Sequence, residues 1–486
     1  MSTLQTTKPL LLAFGAILAL SACGGGADRV ASPGEGSFPP PPPTTPPPPP
    51  PTTPPPSGGP AADCPAGFTN IGTVANGTLR ACRLPELIVG SLVVPNRTGT
   101  VYAISGKTQV GEDMGGNAQA PTAGARSGTL TIDAGVKLYG SAGADFLVVN
   151  RGSQLYAQGS ATNPVVFTSK QGIEGQTTAD SIGQWGGVVV LGRAPISACP
   201  GTTVSGTPEC QAQVEGTNAF YGGNSATDNS GELKYVRVQH SGFEIAQNNE
   251  LNGITLAGVG SGTNVDYVQV HNSSDDGIEI FGGRVNARHI VLTGNDDDSL
   301  DTDTGWDGAI QFAIIQQRAN GGDKMFEWSA IRKTPYSQPK IANVTMIGRA
   351  GGGAAITLNQ GSQATILNAV VTRPAGGSGA GTQCYAVSDT DTKGIFHSAY
   401  FSCPTPFADA RAQADFEAGS NNVSNGTSTL TGGFIIGANE TARPVYANLR
   451  TISPFFQTVD YIGAVKNASD TWWQGWSCGL TSDKPC

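Results

Sequence analysis

Short strand-like segments recur along this chain at the pitch of a coil. One set runs YVRV (235–238), YVQV (267–270), HIVL (289–292), FAII (312–315) and NVTM (343–346), with starts 32, 22, 23 and 31 residues apart. A second set starts at LNGIT (251), DDGIE (275), DDSLD (297), DKMFE (323) and GAAIT (353), at steps of 24, 22, 26 and 30. Upstream, LTIDAGVKLYG (130–140), LVVNRGSQLYAQG (147–159) and NPVVFTS (163–169) alternate apolar and polar residues with no helix-length connection between them. Two or three short strands per repeat cannot bury their apolar side alone; stacked coils share one continuous core. The spacing therefore predicts an all-β chain folded as a parallel β-helix, right-handed because parallel crossovers almost always are. A β-sandwich needs hairpin turns such as Asn-Gly, which are sparse here, and propeller blades run nearer 40–45 residues.

In a strand, side chains alternate between faces. The fourth residues of DDGIE, DDSLD and DKMFE are apolar: Ile278, Leu300 and Phe326. Facing inward, they turn the first and fifth residues outward as two columns, Asp275/Asp297/Asp323 and Glu279/Asp301/Glu327, ended by Leu251/Thr255 and Gly353/Thr357. Eight of residues 275–305 are acidic in a chain that is 13% charged. With coils about 4.8 Å apart, like charges repel by about 0.9 kcal/mol per pair in water and several-fold more where partly buried.

That repulsion has several remedies. A divalent cation is one: Ca²⁺ takes six to eight oxygens and tolerates irregular loops. Asp275, Glu279, Asp297, Asp301, Asp303, Asp323 and Glu327 are the candidate ligands, and Asp307 can extend the shell. Pairing with Arg284, Arg288 or Lys324 is another. Raised carboxyl pKa values are a third, which would suit acid–base catalysis. A solvated acidic face is the plainest reading, and the alternatives stay open. Glycosidases on a pectate-lyase-like solenoid use neighbouring carboxylates, so Asp297 and Asp301 are the catalytic alternative. SSDDGIEI faintly resembles the Asp-Asp stretch of polygalacturonases, but their Gly-His-Gly and Arg-x-Lys companions are absent. A lyase base would be Arg318 or Lys324. His240, His271 and His289 are expected to cap strands or face solvent. Trp306, inside the acidic cluster, is a candidate sugar platform. Trp472, Trp473 and Trp476 are expected to close the open end of the stack.

The N-terminus reads as targeting. Lys8 precedes the apolar run PLLLAFGAILAL, then LSAC ends at Cys23. This is a signal peptide over 1–22, and its end resembles the lipobox of bacterial lipoproteins. The resemblance implies cleavage before Cys23 and acylation of its thiol and amine, with palmitate among the chains. Gly24, in place of Asp, favours the outer membrane. Residues 39–56 are PPPPPTTPPPPPPTTPPP. As polyproline II, at about 3.1 Å per residue, they form a stalk on the order of 55 Å, so 23–60 is anchor plus spacer and 61–486 the β-helix with its C-terminal cap. Setting Cys23 aside, eight of the nine Cys fall into near pairs: Cys64/Cys82, Cys199/Cys210, Cys384/Cys403 and Cys478/Cys486. Four local disulfides suit an exported protein. A net charge of −9 argues against nucleic acid, whose phosphates need basic partners.

QWGGVVVLGRAPI, SGELKYVRVQHSG, DDGIEIFGG, DDDSLDTDTGWDGAIQ and VDYIGAVKNASDTWWQGWS resemble a family of exported Gram-negative lipoproteins, mostly described as lipoprotein or hypothetical protein. The resemblance spans about 180 to 480. It implies a β-helical surface or extracellular lipoprotein, with one similar group secreted through the type II route and tied to phosphate starvation. It brings no agreed catalytic residues. The combined expectation is a lipid-anchored outer-membrane or cell-surface protein, or one released outside the cell. It would be a non-enzymatic binding or structural module for polysaccharide or envelope material, with a divalent cation such as Ca²⁺ on the acidic ladder. The alternative is a polysaccharide lyase or glycoside hydrolase using the same face. The oligomeric state is open.

Overall fold

The computed structural model describes residues 58–247 and 249–486. The expected signal peptide, Cys23 and most of the expected Pro-rich stalk lie outside the described residues.

The predicted coils are present. Ile254–Ala257, Ile278–Phe281, Leu300–Asp303, Phe326–Trp328 and Ile356–Leu358 are successive parallel neighbours in an 11-stranded sheet. Asn264–His271, Asn286–Thr293, Ala309–Gln316, Lys340–Ile347 and Gln363–Thr372 are parallel neighbours in a 16-stranded one. Val268, Ile290, Ala313, Val344 and Ala369 stand in one register column. The chain is thus a parallel β-helix, and one contiguous core runs from Cys82 to Phe416.

Each long strand carries one residue in the left-handed region: Tyr235, Tyr267, His289, Phe312, Asn343 and Asn368, with φ of 52, 57, 51, 66, 57 and 51°. That residue bends the strand, so two segments of it face different sides of the coil. An L-residue there costs roughly 1–2 kcal/mol, which glycine would avoid. The retained side chains offset the strain by stacking from coil to coil. Tyr235 lies 4.3 Å from Tyr267, Tyr267 4.2 Å from His289, and His289 5.1 Å from Phe312, all within 16° of parallel. Asn343 and Asn368 instead donate to the carbonyls of Tyr461 and Tyr446.

The ends are closed by other means. At the first coil, Thr69–Val74 pairs antiparallel with Leu79–Arg83, stapled by Cys64–Cys82. At the last coil, helix Ala410–Glu417 is capped by Asp409 and buries Ala412 and Phe416 against the aromatic rings of Phe396, Phe401 and Phe407. The C-terminal tryptophans do not close an end. They run along a flank, where Trp472, Trp473 and Trp476 pack with Val291, Ile314 and Tyr267. The bent aromatic column leaves an apolar stripe there, and the chain's own tail covers it. Gln269 holds the tail at Cys478 through two hydrogen bonds. Among the described residues, no helix is long and apolar enough to cross a membrane.

All four disulfides join the expected pairs: Cys64–Cys82, Cys199–Cys210, Cys384–Cys403 and Cys478–Cys486. The last two are asymmetric in burial. Cys384 is fully buried in strand Gln383–Val387, whereas Cys403 follows strand Tyr400–Ser402 and packs only half-buried against the core. Cys478 is buried under Gln269, whereas Cys486 is the exposed final residue. Cys403 and Cys486 therefore tie outer chain to the solenoid rather than fill its interior.

Candidate functional site

Ile278, Leu300 and Phe326 stack in register with Ile254 below and Ile356 above, all buried in the core. Period-two alternation then places Glu279, Asp301 and Glu327 in one outward column, between Thr255 and Thr357. Asp275, Asp297 and Asp323 sit in the turns that lead into these strands.

The first two members of this column do not face water, while Glu327 is half-buried. Glu279 is 2% exposed and Asp301 5%. The chain between Gly187–Leu191 and Gly231–Gln239 folds over it. Ile196, Val214 and Tyr221 pack on Phe281, Cys199–Cys210 staples the insert, and the carboxyls of Glu215 and Glu279 both accept from the Asn252 side-chain amide, at 3.4 and 2.6 Å. A solvated acidic face is therefore corrected to a covered one. The coil spacing carries no information about where a non-repeating insert docks.

The ladder has two halves that differ in charge balance. In the later half, Lys324 Nζ lies 2.6 Å from Asp323, 2.7 Å from Glu327 and 3.6 Å from Asp298. Burial disfavours its ammonium, but the Asp298 and Glu327 carboxylates outweigh that and raise its pKa. Asp323 and Glu327, expected as cation ligands, thus already have a cation from the chain itself. In the earlier half, one oxygen each of Asp276, Glu279 and Asp301 lies within 4.8 Å of the others, as do those of Asp275, Asp276 and Asp297. Among the described residues, no Lys or Arg forms an ion pair with Asp275, Asp276, Glu279 or Asp301; the nearby Arg318 and Lys324 are paired elsewhere. Burial first, then neighbouring carboxylates, push the pKa values of Asp276, Glu279 and Asp301 well up. The third group, Asp297, Asp298 and Asp323, lies beside Lys324; burial raises the Asp297 pKa and Lys324 opposes that.

Four members of the site escaped the sequence reading. Asp276 and Asp298, the second acids of each pair, accept the backbone N–H of the next coil: Asp298 N to Asp276 at 3.0 Å and Lys324 N to Asp298 at 2.6 Å. Their signal was the repeated second Asp, which recurs in the same place in DDGIE and DDSLD. Glu215 comes from the insert. Asn252, 1% exposed, donates to Glu279 at 2.6 Å, while its Oδ1 has no hydrogen-bond partner.

Other expected members are elsewhere. Asp303 is buried in register with Phe281 and belongs to none of the three carboxylate groups. Asp307 pairs with Lys340 at 2.5 Å and Arg284 at 3.9 Å. Arg288 reaches the C-terminal tail, its guanidinium 3.9 Å over the Phe455 ring. Arg318 pairs with Asp180 and Asp296. Of the paired cysteines, only Cys199 and Cys210 bear on the ladder, through the cover. Cys384–Cys403 belongs to the last coils, and Cys478–Cys486 closes the tail beside His271. Trp306 offers no face to a sugar: it is 1% exposed within the main core, and its indole N–H donates to Val285 O at 2.9 Å. His271 ends its strand and His240 directly follows one, as expected, whereas His289 lies within a strand, and none of the three is exposed to solvent. His240 contacts Ser181 O, His289 is stacked between Tyr267 and Phe312, and burial with the charges of His240 and Arg237 pulls His271 down to about 3.

A profile of the pectate-lyase-like beta helix domain family matches residues 106–477. No curated protein and no solved structure matches the chain.

Proposed function

The chain belongs to the pectate-lyase-like beta helix domain family, and from that premise we propose that it is a non-enzymatic binding module built around a divalent cation. One observation carries the reading. Asp276, Glu279 and Asp301 converge within 4.8 Å beneath a cover, with no basic partner among the described residues. At an effective dielectric near 20, two charges at that separation repel by about 3.5 kcal/mol. Protons or a cation must relieve that. An all-oxygen donor set selects a hard ion such as Ca²⁺ over a thiolate- or imidazole-seeking one. The three carboxylates supply the charge, and the unpartnered Asn252 Oδ1 supplies a neutral donor beside them. The ion would tie three successive coils together beneath the insert, which is a structural staple.

The covered Asp301 and the paired states of Arg318 and Lys324 speak against a hydrolase or lyase on this face. The leader and Cys23 support a lipid anchor, with the Pro-rich stalk lifting the module from the outer membrane or cell surface toward polysaccharide or envelope material. The test is metal analysis of the purified full chain with calorimetry in Ca²⁺ and in chelator. Bound metal and a melting temperature several degrees higher in Ca²⁺ are expected, the difference vanishing in Glu279→Gln/Asp301→Asn. Metal-free protein with superimposable melting curves overturns the reading.

A further inference from the structure

A cavity of about 390 Å³ opens where the C-terminal tail crosses the ends of two long strands, against the turn at 177–179. It is within the size range of small-ligand sites. His240 follows strand Gly231–Gln239 and His271 ends strand Asn264–His271, and both line the cavity. Their ring centroids lie 5.9 Å apart, edge to face. A carbonyl only accepts, so His240 Nδ1 donates to Ser181 O at 2.8 Å and the neutral ring keeps a lone pair on Nε2. His271 Nδ1 is engaged by Thr293 Oγ1 at 2.8 Å. Among the described residues, neither ring makes a further hydrogen bond through Nε2. Burial lowers the pKa of both rings, and the charges of Arg237 and Arg318 add to that at His271. Those charges also set the site against a cation.

Both walls are held in place. On one side, Ala179 O accepts from Asn272 Nδ2 at 2.8 Å, and Asp180 pairs with Arg318 at 2.9 Å. On the other, Cys478–Cys486 closes the tail into a loop, and Lys484 Nζ ties it to Gly475 O at 2.9 Å. Gly479 brings the tail backbone against His271: its φ is 72°, and an added Cβ would lie 2.9 Å from the imidazole. The lining holds no acid, Lys or Arg side chain, so a charged ligand would enter without a partner, which is costly. Leu480 and Pro485 supply an apolar face. Gln316, Thr481 and Ser482 supply an amide and two hydroxyls. An uncharged ring with one apolar face and a hydroxylated edge matches that lining.

We infer that this cavity binds a neutral pyranose sugar, its ring against Leu480 and Pro485 and one of its hydroxyls donating to His240 Nε2. The site shares no residue with the acidic ladder, so its failure leaves the cation reading untouched. The experiment is titration calorimetry of the full chain with glucose, N-acetylglucosamine, methyl glucoside and glucuronate as separate probes. Saturable binding of at least one neutral probe is expected. A methyl glucoside that binds as well as glucose points to the end of a glycan, and a weaker one to a free sugar. Glucuronate should bind about tenfold more weakly than glucose or worse. His240→Asn keeps an N–H where Nδ1 stands and suits the left-handed φ of 59°, as Asn272 does at 56° after the next strand, but it lacks Nε2. It should weaken binding about fivefold or more, the loss of one buried hydrogen bond. Ala179→Trp, at an exposed position on the rim, should abolish binding with the parent's melting curve. No saturable heat with any neutral probe overturns the proposal, as does glucuronate binding equal to glucose or unchanged affinity in either variant.

Discussion

Glu279 and Asp301 occupy the same register position on adjacent coils, and both are shut away from water. Two carboxylates so placed cannot both be charged at little cost. Protons or a cation must offset that cost, and the protonation of the pair should be visible in stability.

In chelator, stability should fall as pH rises. Asp276, Glu279 and Asp301 have folded pKa values raised by burial and by one another, whereas the unfolded chain titrates near 4. Above pH 4 the folded state holds more protons than the unfolded one, so the slope of unfolding free energy with pH is negative. The loss begins near pH 4 and continues upward through the raised pKa values. Denaturant unfolding between pH 4 and 8 should show this trend in chelator and a flatter one in Ca²⁺. Stability that rises with pH in chelator would contradict it.

The same logic gives Asp301→Asn an unusual sign. Removing one of the crowded charges should leave the metal-free protein at pH 8 as stable as the parent or about 1–2 kcal/mol more so, since one repulsive pair is worth a few kcal/mol. The variant should lose stability relative to the parent only when Ca²⁺ is present. Urea midpoints in the two buffers read this directly.

Lys324 should behave in the opposite way. It neutralises Asp298, Asp323 and Glu327, and its side chain is 14% exposed. Lys324→Met leaves those acids without a partner, and breaking a buried pair costs roughly 3–5 kcal/mol. Partial exposure places the expected loss toward the lower end. A loss under about 1 kcal/mol would mean that solvent or protons already screen these acids.

How much of this was written in the chain depends on the kind of contact. The inward column Ile278, Leu300 and Phe326 follows from strand alternation and coil pitch, both local, and it stands in register as expected. The disulfides were legible for the same reason: Cys384–Cys403 and Cys478–Cys486 each close a short span of 19 and 8 residues. Lys324 was legible in principle, since it stands where Asp276 and Asp298 stand in the preceding coils. The cover was not legible. Glu215, Tyr221 and Cys210 belong to an insert with no repeat, and its docking on Phe281 is a long-range packing choice. Trp306 misled for a related reason. Its acidic neighbours in sequence suggested a wet site, but the ring points into the core beneath Gly308, where an added Cβ would come within 2.3 Å of the indole nitrogen.

The last prediction concerns that cover. Cys199 and Cys210 close a short loop, with a sequence separation of 11, and the chain-entropy model assigns such a closure about 3 kcal/mol. Cys199→Ser/Cys210→Ser should lower global stability by up to that amount. The larger effect should be local, because the loop joins Ile196 on one side to Val214 and Tyr221 on the other, and these three pack on Phe281. Amide exchange over 212–221 should quicken more than exchange over 300–303, and the rate of Ca²⁺ loss to chelator should rise with it. Equal exchange in parent and variant over 212–221 would mean that apolar packing alone keeps the acids covered.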